Sequence, residues 1–131
     1  MKPAHFEHVN LTVRDPRAVA DRLVRLFEWT VRWEGPSLND GLTVHVGTED
    51  AYVALYTHAD VREAGAKTYD VANGLNHIAV VVDDLESIEE RVRGEGLETH
   101  NHQDYEPGRR FYFDDPAGFE VEVVSYAEVS R

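Results

Sequence analysis

Three side chains in this 131-residue sequence have the chemistry to share a metal ion, provided the fold brings them together: His8, His77 and Glu122. The histidines open two segments that repeat one another, His8-Val-Asn-Leu-Thr-Val-Arg-Asp15 and His77-Ile-Ala-Val-Val-Val-Asp-Asp84. The glutamate closes a third, Asp115-Pro-Ala-Gly-Phe-Glu-Val-Glu122. Two neutral imidazoles and one carboxylate leave coordination positions open, the facial arrangement typical of non-haem Fe2+ and also accepted by Mn2+, Ni2+, Co2+ and Zn2+. The histidines stand 69 residues apart, too far for a local metal finger. Only a duplicated fold can bring the set to one place. A strand histidine is often purely structural, but here the histidine, a following aspartate and an apolar stripe all recur in register.

The elements that must position these residues follow from hydrophobic spacing. Val9, Leu11 and Val13 alternate with His8, Asn10 and Thr12, so a strand over 6–13 turns its histidine away from its apolar face. His77 shares a face with Ala79 and Val81, and Glu122 with Glu120, Val124 and Tyr126. A carboxylate inside such a strand is costly to bury unless it is paired, protonated or metal-bound. Asp15-Pro16 reads as a helix cap with proline at the first helical position. Val19, Ala20, Leu23, Leu26 and Phe27 then give the helical stripe. Strands follow at 30–34, 42–46 and 52–57, punctuated by Gly35-Pro36 and Asn39-Asp40-Gly41. Residues 58–74 lack a period and read as a linker with one short helical turn. The pattern restarts with a strand over 75–82, Asp84 as cap, and Leu85, Ile88 and Val92 as stripe, ended by Gly94 and Gly96. Strands at 98–103, 109–114 and 119–126 complete it. The expected fold is α+β, one domain over 1–131 built from two tandem βαβββ modules, about 5–57 and 75–127, joined by the linker.

Formal net charge is −12, from 25 acidic and 13 basic residues spread along the chain. Such a surface repels phosphate backbones and anionic membranes, which argues against nucleic acid or membrane as partner. The absence of cysteine excludes thiol chemistry and disulfides. No leader-like or membrane-spanning run is present, so a cytoplasmic location is expected.

The two strand starts, Glu7-His8-Val-Asn-Leu-Thr-Val and Asn76-His77-Ile-Ala-Val-Val-Val, and the closing Phe111-Tyr-Phe-Asp-Asp-Pro-Ala-Gly-Phe-Glu-Val-Glu122, together resemble the vicinal oxygen chelate superfamily. Its members include lactoylglutathione lyases, methylmalonyl-CoA epimerases, fosfomycin-modifying thiol transferases, extradiol dioxygenases and bleomycin-resistance proteins. The resemblance covers nearly the whole chain. It implies that His8, His77 and Glu122 bind one divalent metal, with Fe2+ favoured. Lactoylglutathione lyases carry a fourth ligand, a glutamate, where this chain has Ala54. Alanine can neither bind metal nor move a proton, which counts against ordinary glyoxalase chemistry.

The run Tyr112-x-x-Asp115-Pro116-x-Gly118-x-x-x-Glu122 resembles the extradiol signature, in which the tyrosine holds substrate. His102 falls near the position of that family's acid/base histidine, one residue out of step. Tyr112 and His102 are therefore the catalytic candidates, and Asn10, Tyr56 and Arg110 the substrate-binding ones. Arg110 suits a carboxylate or phosphate, whereas Arg109 reads as surface charge. The leading expectation is a metal-dependent enzyme acting on a small molecule with vicinal oxygens, resembling extradiol dioxygenases. A glyoxalase- or epimerase-like lyase or isomerase is the alternative. The loop at 106–110 lacks the serine-rich sequence of the thiol transferases. A non-catalytic drug-binding protein is a third reading, with Trp29, Trp33, Tyr52, Tyr56 and Tyr126 as stacking surfaces. One-domain relatives commonly dimerise, so a homodimer is expected, with the site formed either within one chain or across two.

Overall fold

The structure, a computed structural model, describes residues 2–63, 65, 68–105 and 108–127, with only the backbone of Tyr105. The linker at 58–74 and the loop at 106–110 each lie partly outside the described residues. The chain divides into two compact units at residues 63 and 64. The first contains β1 (His8–Thr12), α1 (Pro16–Phe27), β2 (Thr30–Ser37), β3 (Gly41–Gly47) and β4 (Tyr52–Thr57). The second begins with a 3-10 turn at Thr68–Asp70, then β5 (His77–Val81), α2 (Leu85–Gly94), β6 (Thr99–Tyr105), β7 (Gly108–Asp114) and β8 (Glu120–Ser125). Each is a βαβββ module with a four-stranded mixed sheet, ordered β1-β4-β3-β2 in the first and β5-β8-β7-β6 in the second. The architecture is α+β. The first and last strands of each module pair in parallel, and the rest antiparallel.

The helices start where their caps place them. Asp15 accepts a hydrogen bond from the Ala18 amide and Asp84 from the Ser87 amide, with Pro16 opening α1. Each aspartate satisfies a donor that the first helical turn leaves unpaired. The α2 helix ends in a Schellman arrangement: Gly96 takes φ 82° and the Leu97 amide reaches back to Val92 O.

Apolar alternation decides which sheet face lies under each helix. Val19, Ala20, Leu23 and Leu26 are buried with Val44, Val46, Val53 and Leu55. Ile88 and Val92 are buried with Phe111, Phe113, Val121 and Val123. The intervening residues are thereby committed to the opposite face.

Among the boundaries that differ from the sequence expectation, two are instructive. Strand β2 runs on through Gly35 and Pro36 to Ser37. Proline is tolerated there because β2 is the sheet edge, where no inner ladder bond is lost. A type I′ turn then joins β2 to β3, with Asn39 and Asp40 at φ 59° and 56° and the Gly41 amide bonded to Leu38 O. Strand β5 begins at His77 rather than Leu75, whose carbonyl accepts from the Thr68 hydroxyl. Among the described residues, no helix is long and apolar enough to cross a membrane.

Asp84→Ala should destabilise the protein by about 1 kcal/mol, and Leu23→Ala by about 2–5 kcal/mol, measured by urea unfolding. An Asp84→Ala protein as stable as wild type would mean that the cap bond adds nothing to α2.

Candidate functional site

In the C-terminal unit the strand register builds a polar layer on the face away from α2. His77 is aligned with Glu120, Ala79 with Glu122, Tyr112 with Glu122, and Asp114 with Glu120. His77 Nε2 lies 3.5 Å from Glu122 Oε1. Tyr112 donates its hydroxyl to the same oxygen at 2.6 Å, and Arg110 approaches Glu122 Oε2 at 3.4 Å. The Glu122 and Arg110 side chains are only 12% and 13% exposed, so their charges face each other with little water to screen them. On the other side of the His77 ring, Nδ1 is 3.0 Å from the Tyr69 hydroxyl, which in turn donates to Glu120 Oε1 at 2.5 Å.

The remaining candidates lie elsewhere. His8, in the N-terminal unit, presents Nδ1 to Glu7 Oε1 at 2.9 Å and stacks on Tyr52 at 4.8 Å. Tyr52 also stacks with His45 at 4.5 Å and lies beneath the Arg32 guanidinium. Trp33 packs against His45 at 5.0 Å. Asn10 and Tyr56 share this face, being aligned with Ala54 and Thr43 respectively, and the Tyr56 hydroxyl is bonded to Leu38 O. Ala54 is aligned with both Asn10 and His45, on the same face as His8 and not among the residues under α1.

The matched register of the two modules makes this correspondence general. Ala54 holds the place of Glu122, Tyr52 that of Glu120, His45 that of Tyr112 and Trp33 that of His100. A parallel pair of first and last strands, its first strand opened by a histidine, occurs in each module. The sequence matches the Glyoxalase/Bleomycin resistance protein/Dioxygenase superfamily over residues 5–123. The chain belongs to that superfamily.

Solved structures with this superfamily's fold align along almost the full chain at low identity. A glyoxylase/bleomycin resistance protein/dioxygenase domain from Frankia sp. EAN1pec has 20% identity and TM-score 0.79, with 95% of this chain and 98% of that chain covered. The antibiotic-binding protein TnmS3 from Streptomyces sp. CB03234 has 16% identity and TM-score 0.72, with the same coverage. The fosfomycin resistance protein FosX from Listeria monocytogenes, complexed with Mn(II) and sulfate, has 17% identity and TM-score 0.70, covering 98% of this chain and 95% of that chain. No curated protein matches.

Against the superfamily's extradiol signature, one sequence expectation needs correction. His102 does not join Tyr112. Its Nε2 bonds Glu89 Oε2 on α2 at 2.5 Å, and its ring stacks on Phe111, which belongs to the helix-covered face. The cause is a bulge between His100 and Gln103, with Asn101 at φ 53°, which adds a residue and reverses the facing of the next one. His100 faces Tyr112 instead, with ring centroids 6.3 Å apart. Its Nε2 is buried, 3.6 Å from Asp114 Oδ2. His100, Asp114 and Glu120 offer ligand atoms within 4.8 Å of one another, although Asp114 is half-exposed and Glu120 already serves Tyr69.

Sequence reasoning gave no role to Tyr69, Glu120 or His100. The period-two pair Glu120 and Glu122 in an apolar strand was the readable signal for Glu120. Nothing local marked Tyr69, whose partners are 8 and 51 residues away.

The electrostatics set the protonation states. The hydrogen bond to Glu122, then burial and the Glu122 charge, push the Tyr112 phenol up to about 12. Tyr112 is therefore a neutral donor at neutral pH and unsuited as a base. His45 is held below the usual imidazole range by burial first, then by the charges of His8 and Arg32.

A raised phenol pKa stabilises the fold below the unfolded value near 10 and loses that contribution as pH rises towards 12. In a tyrosinate absorbance titration, Tyr112 should ionise last in the wild type. In Glu122→Gln its transition should move down towards about 10. An unchanged curve would remove the bond as the cause.

Proposed function

We propose that the protein is a divalent-metal-dependent enzyme acting on a small molecule that presents two neighbouring oxygens. His77 and Glu122 are the ligands this reading rests on, and His8 joins them through the superfamily resemblance. The supporting observation is the approach of His77 Nε2 to Glu122 Oε1 at 3.5 Å. Two ligands about 2.1 Å from one first-row ion stand roughly 3.0–3.4 Å apart, so the pair suits a shared ion with little adjustment. A bound ion would supply Lewis-acid stabilisation of negative charge on a substrate oxygen.

The surrounding side chains define what the site accepts. Arg110, part-buried beside Glu122, presents a guanidinium fork to a carboxylate, phosphonate or oxyanion. Tyr112 keeps its proton and can donate it in a hydrogen bond. Within the superfamily's range we favour extradiol-dioxygenase-like cleavage with Fe2+, because His100, the imidazole on the Tyr112 face, can take the acid/base role first given to His102. A lyase or isomerase is the alternative and would need a base other than position 54.

A second reading has its own observation. The His8, Tyr52 and His45 rings stack in the N-terminal unit, with half-exposed Trp33 packed at a tilt against His45. This is a surface suited to a planar ligand bound without catalysis.

Protein purified without added metal should bind Fe2+ or Mn2+ at one site per chain. His77→Ala or Glu122→Ala should weaken that binding by more than about 100-fold with an unchanged circular dichroism spectrum, and His8→Ala should act in the same direction. Oxygen uptake on addition of a catechol separates the dioxygenase from the lyase. Wild-type protein that ignores divalent ions, yet shows tryptophan quenching by planar aromatics in the presence of chelator, would replace the enzyme with the binding protein.

A further inference from the structure

The contacts around His77 decide which of its two nitrogens carries the proton. A carboxylate can only accept, so the single phenolic proton of Tyr69 goes to Glu120 Oε1, at 2.5 Å. The Tyr69 oxygen then has only lone pairs to offer His77 Nδ1, at 3.0 Å. Nδ1 must therefore carry a proton, and in the neutral imidazole, which has a single N–H, Nε2 keeps its lone pair on the Glu122 side. Neither partner is loosely placed. Glu120 is 7% exposed. The loop carrying Tyr69 is tied to the start of β5 by Thr68, whose hydroxyl donates to Leu75 O at 2.7 Å and lies 3.1 Å from Asn76 Oδ1. Gly74 closes this loop against Thr68 so tightly that a Cβ there would meet Thr68 Cβ at 2.4 Å. His8 shows the same logic in shorter form, with Nδ1 against Glu7 and the Glu7 carboxylate also accepting from Tyr52.

We propose that Tyr69 and Glu120 are positioning residues for His77, holding its imidazole as the Nδ1–H tautomer so that the Nε2 lone pair faces Glu122 as a ligand for a divalent cation. A ligating imidazole generally donates its other N–H to an acceptor that fixes tautomer and ring orientation. Here the acceptor is a phenol, made a better one because it passes its own proton to a carboxylate. The inference rests on the metal reading for its purpose, but not for its geometry.

The test is the nitrogen-15 spectrum of the metal-free protein above the imidazole titration range, with the His77 signals assigned by their loss in His77→Gln. Wild type should show Nδ1 protonated and Nε2 unprotonated. Tyr69→Phe removes the acceptor and also takes a donor from buried Glu120, so it should lower the melting temperature modestly while leaving the circular dichroism unchanged. It should also shift the His77 population towards Nε2–H and weaken Mn2+ or Zn2+ binding by about 10–100-fold. An Nε2–H tautomer in wild type, or a Tyr69→Phe spectrum and affinity identical to wild type, overturns the proposal. If the tautomer behaves as expected but wild type binds no divalent ion, the positioning stands and the metal function falls.

Discussion

The polar layer of the C-terminal unit exists because the other side of the same sheet is buried. Phe111, Phe113, Val121 and Val123 are fully covered, and full burial of each such side chain is worth about 1.5–3 kcal/mol. Since side chains alternate along a strand, that burial commits Arg110, Tyr112, Glu120 and Glu122 to the opposite face. A one-residue slip of β8 would drive two carboxylates beneath α2 and lift two valines out. Desolvating those carboxylates without partners would cost several kcal/mol each. Register is therefore held from both directions, and the spacing of His77 and Glu122 is a by-product of apolar packing.

Within the layer, the two carboxylates avoid competing because each has its own tyrosine. Tyr69 serves Glu120 and Tyr112 serves Glu122, while Arg110 supplies the positive charge. The N-terminal unit uses the same backbone plan for different contents. Where β8 has Glu120 and Glu122, β4 has Tyr52 and Ala54, and the face becomes a stack of rings with a cation above it. One copy of the module sets carboxylates beside its histidine and the other sets rings there.

Much of this was legible in the sequence because it is local or periodic. The capping aspartates, the helix stripes and the alternation of β1, β5 and β8 each depend on neighbours a few residues away; His8 and His77 stand out by recurrence, and Glu122 as a carboxylate in an apolar strand. Pro36 misled as punctuation because its tolerance depends on β2 being an edge, a property of the finished sheet. Tyr69 was invisible because its meaning lies in partners on β5 and β8. His102 was singled out by its nearness to a family position rather than by strand facing, and the bulge that turns it towards α2 is not written in residue type: Asn101 can adopt positive φ but need not.

That bulge makes β6 unusual in the kind of change it can absorb. His100 and His102 are two residues apart and would share one face of a regular strand, yet they serve opposite layers: one beside Tyr112, the other clamped to Glu89 of α2. Their division of labour is held by the extra residue at the bulge, which puts two residues of β6 opposite Phe111. Loss of Asn101 would leave His100, His102 and Gln103 opposite Tyr112, Phe111 and Arg110 in an unbroken ladder, with each facing unchanged. Deletions, usually neutral in loops and ruinous in strands, would at this point be absorbed without exchanging the packed layer for the polar one.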